Sequence, residues 1–192
     1  MDSIMKKLLL LAVTLMTTMM ASAQTSVQVG YLFNTQKSKV AGVKSSSCYS
    51  GIMVAADYNL KLSDVLFVAP GLGVGYSFDD SDGARYKELG LFVPIDFNYR
   101  FTLSDAVSIS AFAGPTVYYG LLSKDTSTTP AYNYYANDNN RFELLLGGGL
   151  WFDIKETTRL KIGYKFGLTN NCKIDGRTEK SECLYLSVGY IF

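Results

Sequence analysis

The stretch Leu184-Tyr185-Leu186-Ser187-Val188-Gly189-Tyr190-Ile191-Phe192 alternates with period two. Its even positions, Leu184, Leu186, Val188, Tyr190 and Phe192, are all large and apolar. Its odd positions, Tyr185, Ser187, Gly189 and Ile191, are smaller or more polar on average. Such alternation gives a β-strand one greasy face. A soluble sheet seldom leaves such a strand at its edge, whereas in a closed membrane barrel the last strand pairs with the first and no edge remains. The expectation is therefore a closed ring whose final strand meets its first.

Working outward from that stretch, the same period recurs from Gln24 onward, in segments near 27–33, 52–60, 66–76, 89–101, 107–117, 142–152 and 160–168. With the last stretch they make eight. Lys61-Leu62-Ser63-Asp64, Thr102-Leu103-Ser104-Asp105 and Lys155-Glu156-Thr157-Thr158 read as short turns. The longer connections are 35–47, Asp79-Asp80-Ser81-Asp82-Gly83, roughly 122–140, and about a dozen residues before the last strand. Long and short connections alternate, as in outer-membrane barrels with tight periplasmic turns and longer outer loops. The predicted fold is an all-β, eight-stranded antiparallel up-and-down transmembrane barrel in the outer membrane, with N- and C-termini in the periplasm. Pro94 and Pro115 cannot donate to a strand ladder, so local irregularity is expected there.

Period two alone does not say which face points inward, since a lipocalin-like barrel turns its apolar face to the core. Three features favour apolar side out. Large side chains from eight strands would overfill an interior this narrow. Aromatics cluster at both strand ends: Tyr58, Tyr99, Phe101, Phe152, Tyr190 and Phe192 by the short turns, and Tyr31, Phe33, Tyr76, Phe142 and Phe166 by the long loops. Two such girdles mark two membrane interfaces. The polar face carries Asp57, Glu88, Asp96, Glu143 and Asp153 against Arg100, Arg141, Lys161 and Lys165. Buried charges must pair, because an unpaired one costs several kcal/mol. The expected interior is a plug in which Arg100, Arg141, Lys161 and Lys165 pair with Glu88, Asp96 and Glu143, with Asp57 in the same polar network.

Composition agrees. Tyr (14), Phe (11) and Gly (17) are frequent, and 18 basic against 17 acidic residues point to no nucleic-acid partner. Lys6 and Lys7, the apolar run Leu8 to Met20 and Ala21-Ser22-Ala23 read as a secretory signal peptide over 1–23, leaving 24–192 as the barrel domain.

Candidate chemistry is sparse, and no cofactor or metal is expected. Counting back from Gly83, the Asp79–Gly83 loop lacks the first ligand of a calcium loop and reads as a solvated turn. The Gly-rich runs at 71–75 and 147–149 lie within strands, where inward glycines relieve crowding or let a large neighbour such as Trp151 lie flat. Cys172 and Cys183 bracket the last long loop, where a disulfide or two free thiols both fit; Cys48 is a third exported cysteine. Tyr132-Asn133-Tyr134-Tyr135 suits either a recognition loop or a strand extended beyond the membrane.

Gly71-Leu72-Gly73-Val74-Gly75-Tyr76, Pro94-Ile95-Asp96-Phe97-Asn98-Tyr99-Arg100-Phe101, Ala113-Gly114-Pro115 and the terminal Tyr190-Ile191-Phe192 together resemble the small outer-membrane β-barrel family of Bacteroidetes, the PorT-like group. In architecture the chain is also similar to OmpX and to the OmpA barrel. The resemblance implies location and fold, a lipid surround, and an assembly signal at Tyr190 and Phe192 for the barrel-assembly machinery. Barrel enzymes of this architecture use a catalytic His as general base, and this chain has none. The expected role is structural or surface interaction through outer loops, not enzymatic. A small-ligand or lipid-binding barrel, or a narrow pore, is the alternative.

Overall fold

The computed structural model describes residues 24–79, 86–125 and 131–192. The signal segment 1–23 and positions 80–83 of the acidic turn lie outside the described residues.

Among the described residues nine strands are present: β1 (Gln24–Val40), β2 (Val43–Lys61), β3 (Leu66–Asp79), β4 (Tyr86–Ser104), β5 (Val107–Asp125), the two-residue β6 (Tyr132–Asn133), β7 (Phe142–Ile154), β8 (Thr158–Gly167) and β9 (Arg177–Ile191). A one-turn helix, α1 (Tyr134–Asn137), follows β6. β6 only borders β5; the other eight strands form an antiparallel ring, closed by β4–β5 and β1–β9. In that closure Tyr31 faces Leu186 and Val27 faces Tyr190, so the terminal strand does meet the first.

Exposure is inverted relative to a soluble protein. Val29, Ile52, Val54, Phe97, Leu186 and Val188 face outward, while Asp96, Glu143, Arg159 and Lys161 are buried in the lumen. Apolar side chains exposed all round a ring are stable only in a hydrocarbon surround. Neighbouring aromatic rings meet edge to face at both ends of this band, Tyr31 with Phe33 at 4.7 Å and Tyr190 with Phe192 at 4.9 Å.

Three connections are as short as expected, 62–65, 105–106 and 155–157. The segment 35–47 is not a loop. β1 and β2 stay paired up to Val40↔Val43 across a two-residue turn, Ala41-Gly42, with φ of 48° and 88°. Polar side chains do not oppose strand pairing when both faces meet water, and positive φ at both turn residues suits a tight hairpin. Pro94 interrupts the ladder on both its sides: β3–β4 pairing lapses between Pro70↔Ile95 and Gly73↔Phe92, and β4–β5 pairing between Pro94↔Thr116 and Phe97↔Ala113. Register shifts occur elsewhere, at Leu89/Gly90 and Thr102/Ser104.

Candidate functional site: a charged lumen closed by tyrosines

Three layers of polar side chains cross the lumen. At the short-turn end Asp153 of β7 is the hub. It accepts two hydrogen bonds from Arg159 of β8 (2.7 and 2.9 Å) and one from Arg100 of β4 (3.3 Å). The Arg159 guanidinium is wholly buried and lies 3.8 Å over the Trp151 ring, while Arg100 covers Phe67 at 4.2 Å. A bidentate Arg–carboxylate pair stacked on an aromatic is the arrangement in which buried charge is best compensated.

In the middle layer Lys161 donates to Asp96 at 2.7 Å and sits over Phe112. Asp57 makes no ion pair among the described residues. Its carboxylate accepts from Gln28 (2.6 Å) and Ser26 (3.2 Å), and Gln28 is itself held by Ser187 (2.6 Å). Lys165 lies between the rings of Phe92 and Tyr185, at 5.5 and 5.4 Å. It makes no ion pair among the described residues.

At the long-loop end Glu88 of β4 accepts from three phenols: Tyr86 (2.6 Å), Tyr118 (2.7 Å) and Tyr135. Tyr135 belongs to α1, so the segment 131–141 plants a side chain in the mouth. Asn133 caps α1, accepting from the Ala136 N–H (3.2 Å), and Lys173 donates to the Tyr135 carbonyl (2.7 Å). On the rim Tyr132 donates to Asp138 (2.8 Å), which keeps the phenol protonated and pushes its pKa up. Glycines let these rings lie flat on the wall: a Cβ at Gly90 would fall within the Tyr118 ring, one at Gly120 within the Tyr135 ring, and one at Gly163 against Tyr185.

The lumen thus gathers Asp57, Glu88, Asp96, Arg100, Glu143, Lys161 and Lys165; of the expected pairs Lys161–Asp96 forms, while Arg100 turns to Asp153 instead. Glu88 meets phenols and Glu143 meets the Ser181 N–H (3.2 Å); neither has a cation within ion-pair distance among the described residues. Arg141 lies outside this network. It is exposed at the mouth, donating to the Gly120 and Leu121 carbonyls (3.2 and 3.0 Å) and covering Tyr135. It is the first residue after a connection, too high on the wall to reach the lumen. The three cysteines are free. Cys172 bridges to Asn139 through its backbone, and Cys183 stands in register with Lys165 on the inner wall. Arg159 is the residue that sequence reading misses. It sits against the turn 155–158, yet its odd parity, shared with Lys161 and Lys165, already places it inward.

Between the layers lies a cavity of about 90 Å³, lined in part by Met53, Phe92, Tyr118, Glu143, Lys165 and Tyr185. It has room for several waters but not for an open bore. Among the described residues no three His, Cys, Asp or Glu side chains are grouped to hold a metal.

Residues 8–192 match the model of the outer membrane protein β-barrel domain. The chain belongs to that family. Its fold is also that of solved outer-membrane barrels. The Neisserial surface protein NspA aligns over 88% of this chain and 97% of its own, at 13% identity and a TM-score of 0.56. Ail, the attachment invasion locus protein of Yersinia pestis, aligns over 89% and 99%, at 16% identity and a TM-score of 0.50. The N-terminal barrel of Pseudomonas aeruginosa OprF aligns over 89% and 100%, at 14% identity and a TM-score of 0.45. At these identities the likeness to NspA and Ail speaks for fold alone. No curated protein matches the chain in sequence. Family membership places the chain in the outer membrane, surrounded by lipid.

Proposed function

We propose that this protein is a closed, non-conducting outer-membrane barrel that acts through the surface it raises outside the cell, with both termini in the periplasm. The observation that carries this reading is the contrast between its two parts. The lumen is crossed by bonded side chains from Asp153 up to Glu88, whereas β1 and β2 run 17 and 19 residues, well beyond the roughly 9–11 a membrane strand needs. The surplus stands outside the bilayer as a paired hairpin, a rigid element on which to present side chains.

On this reading no reaction is catalysed: the chain has no His, and its buried carboxylates are engaged by donors. Tyr190 and Phe192 serve as the assembly signal, and 1–23 as the export signal. The finer kinship with the PorT-like group of Bacteroidetes rests on the motifs of β3, β4, β5 and β9 and belongs to the same proposal. A second reading, a small-ligand barrel, rests on Lys165 and on the Tyr185 hydroxyl. That hydroxyl is buried beside the 90 Å³ cavity with no hydrogen-bond partner among the described residues.

The test is an epitope inserted between Ala41 and Gly42. Labelling on intact cells, with heat-modifiable migration of the purified barrel, is the expected result. Labelling only after permeabilisation would overturn the orientation and the surface role together.

A further inference from the structure

Above the aromatic girdle at the long-loop end, the outer wall carries charge almost wholly of one sign. The alternation that turns Tyr31 and Phe33 to lipid also turns Lys37 and Lys39 of β1 outward, with Lys44 of β2 and Lys180 of β9 on the same face. Farther round the ring, Lys87 of β4 and Lys124 of β5 do the same. Against these six, Glu182 is the one outward carboxylate among the described strand residues at this level, and it is taken by Lys37 (2.5 Å). Of the strand acids at this end, Glu88, Glu143 and Glu179 point inward and are buried, and the half-buried Asp79 and Asp125 lie on the same inner side with Tyr49. The short-turn end is mixed instead, Lys61 and Lys155 standing with Asp64, Asp105 and Glu156.

The lysines also face one another. Lys37 is directly opposite Lys180, Lys39 opposite Lys44, and Lys87 opposite Lys124. Like charges directly across a ladder destabilise it. Lys39, Lys44 and Lys180 make no ion pair among the described residues, so no carboxylate described there offsets the repulsion. Together with Lys37, Glu182 and Phe166 they line a depression of about 520 Å³ on the outer wall. Lys37 lies four residue steps beyond Phe33, about 13 Å along a strand and roughly 10 Å in height for a strand tilted by about 40°. Lysine stems reach back down such a wall. That sets the ammonium groups at headgroup depth, over an aromatic floor.

We propose that this lysine face binds the phosphorylated headgroup of an anionic outer-leaflet lipid, which supplies the counter-charge that the strands lack. The proposal rests on the outward orientation of the hairpin. The full mature chain is refolded into phosphatidylcholine vesicles and into equimolar phosphatidylcholine–phosphatidic acid vesicles, and its unfolding temperature is read from heat-modifiable migration. The wild type should unfold several degrees higher with phosphatidic acid. K39Q/K44Q/K180Q should lose that rise while staying as stable as wild type in phosphatidylcholine, because it removes repulsion; K61Q/K155Q at the other end should keep the rise. An equal rise in the triple variant would overturn the site in favour of general surface charge. The same rise from inositol hexakisphosphate added to phosphatidylcholine vesicles would overturn the lipid as its source. A chain that inserts into neither vesicle fails the membrane reading itself, an outcome distinct from insertion without a difference.

Discussion

The two ends of the lumen solve the same problem differently. At the short-turn end a buried carboxylate, Asp153, is matched by two guanidinium groups delivered from strands β4 and β8. At the long-loop end an equally buried carboxylate, Glu88, is matched by phenols, one of them from a helix in a connection. Ion pairs locked between strands cannot part without breaking the ring. A phenol on a short helix can lift away and leave Glu88 to water at the mouth. The barrel therefore has a fixed base and a closure that can in principle be removed, and stability and closure should respond to different substitutions.

The most severe change should be Asp153→Ala. It strands the wholly buried Arg159 and most of Arg100, and breaking a buried pair from one side costs about 3–5 kcal/mol. Urea unfolding of the refolded barrel in detergent measures this. A loss below about 1 kcal/mol would mean that water already enters the base and that the two ends are alike.

Next comes the mouth. Tyr135→Phe removes one hydrogen bond to a charged acceptor that keeps two others, so a loss of about 1–2 kcal/mol is expected. Gly120→Ala should give a similar loss by another route, because the new methyl group takes the space of the Tyr135 ring. If Gly120→Ala unfolds like wild type while Tyr135→Phe does not, the ring does not rest where the structure places it. Smaller again should be Glu88→Gln, which keeps a hydrogen-bond acceptor among the three phenols at the same volume, for about 1 kcal/mol. A loss as large as that of Asp153→Ala would erase the distinction between the ends. Lys61→Ala removes an exposed pair with Asp64 in a short turn and should leave the unfolding midpoint where it is, since such pairs are screened by solvent.

What was legible in sequence follows from which of these features are local. Period two gave each strand and its outward face, and the short turns gave the connectivity, because both depend on neighbours along the chain. The closure of β9 on β1 was legible for the same reason: the strand stays apolar on one face to its end. Arg159 was hidden by its place beside a turn, although its parity was readable. The pairing of Glu88 with Tyr86, Tyr118 and Tyr135 was not readable, because it depends on the stagger of β4 against β5 and on the path of the 126–141 connection. The lysine face needed register too: nothing in the sequence sets Lys37 opposite Lys180. The segment 35–47 looked like a loop because hydrophilic strands above a membrane lose the apolar half of their alternation while keeping their hydrogen bonds.

On the proposed reading the lumen is shut along its length, with Tyr135 closing only the mouth. Single-channel recording in planar bilayers tests it most directly, comparing the wild type with Tyr135→Ala. Neither protein should show steady conductance, and both should stay heat-modifiable, because the Lys161–Asp96 pair and the Asp153 hub still cross the lumen below the mouth. Stable open-channel steps in the wild type would contradict it, and the charged layers would then line a wet path.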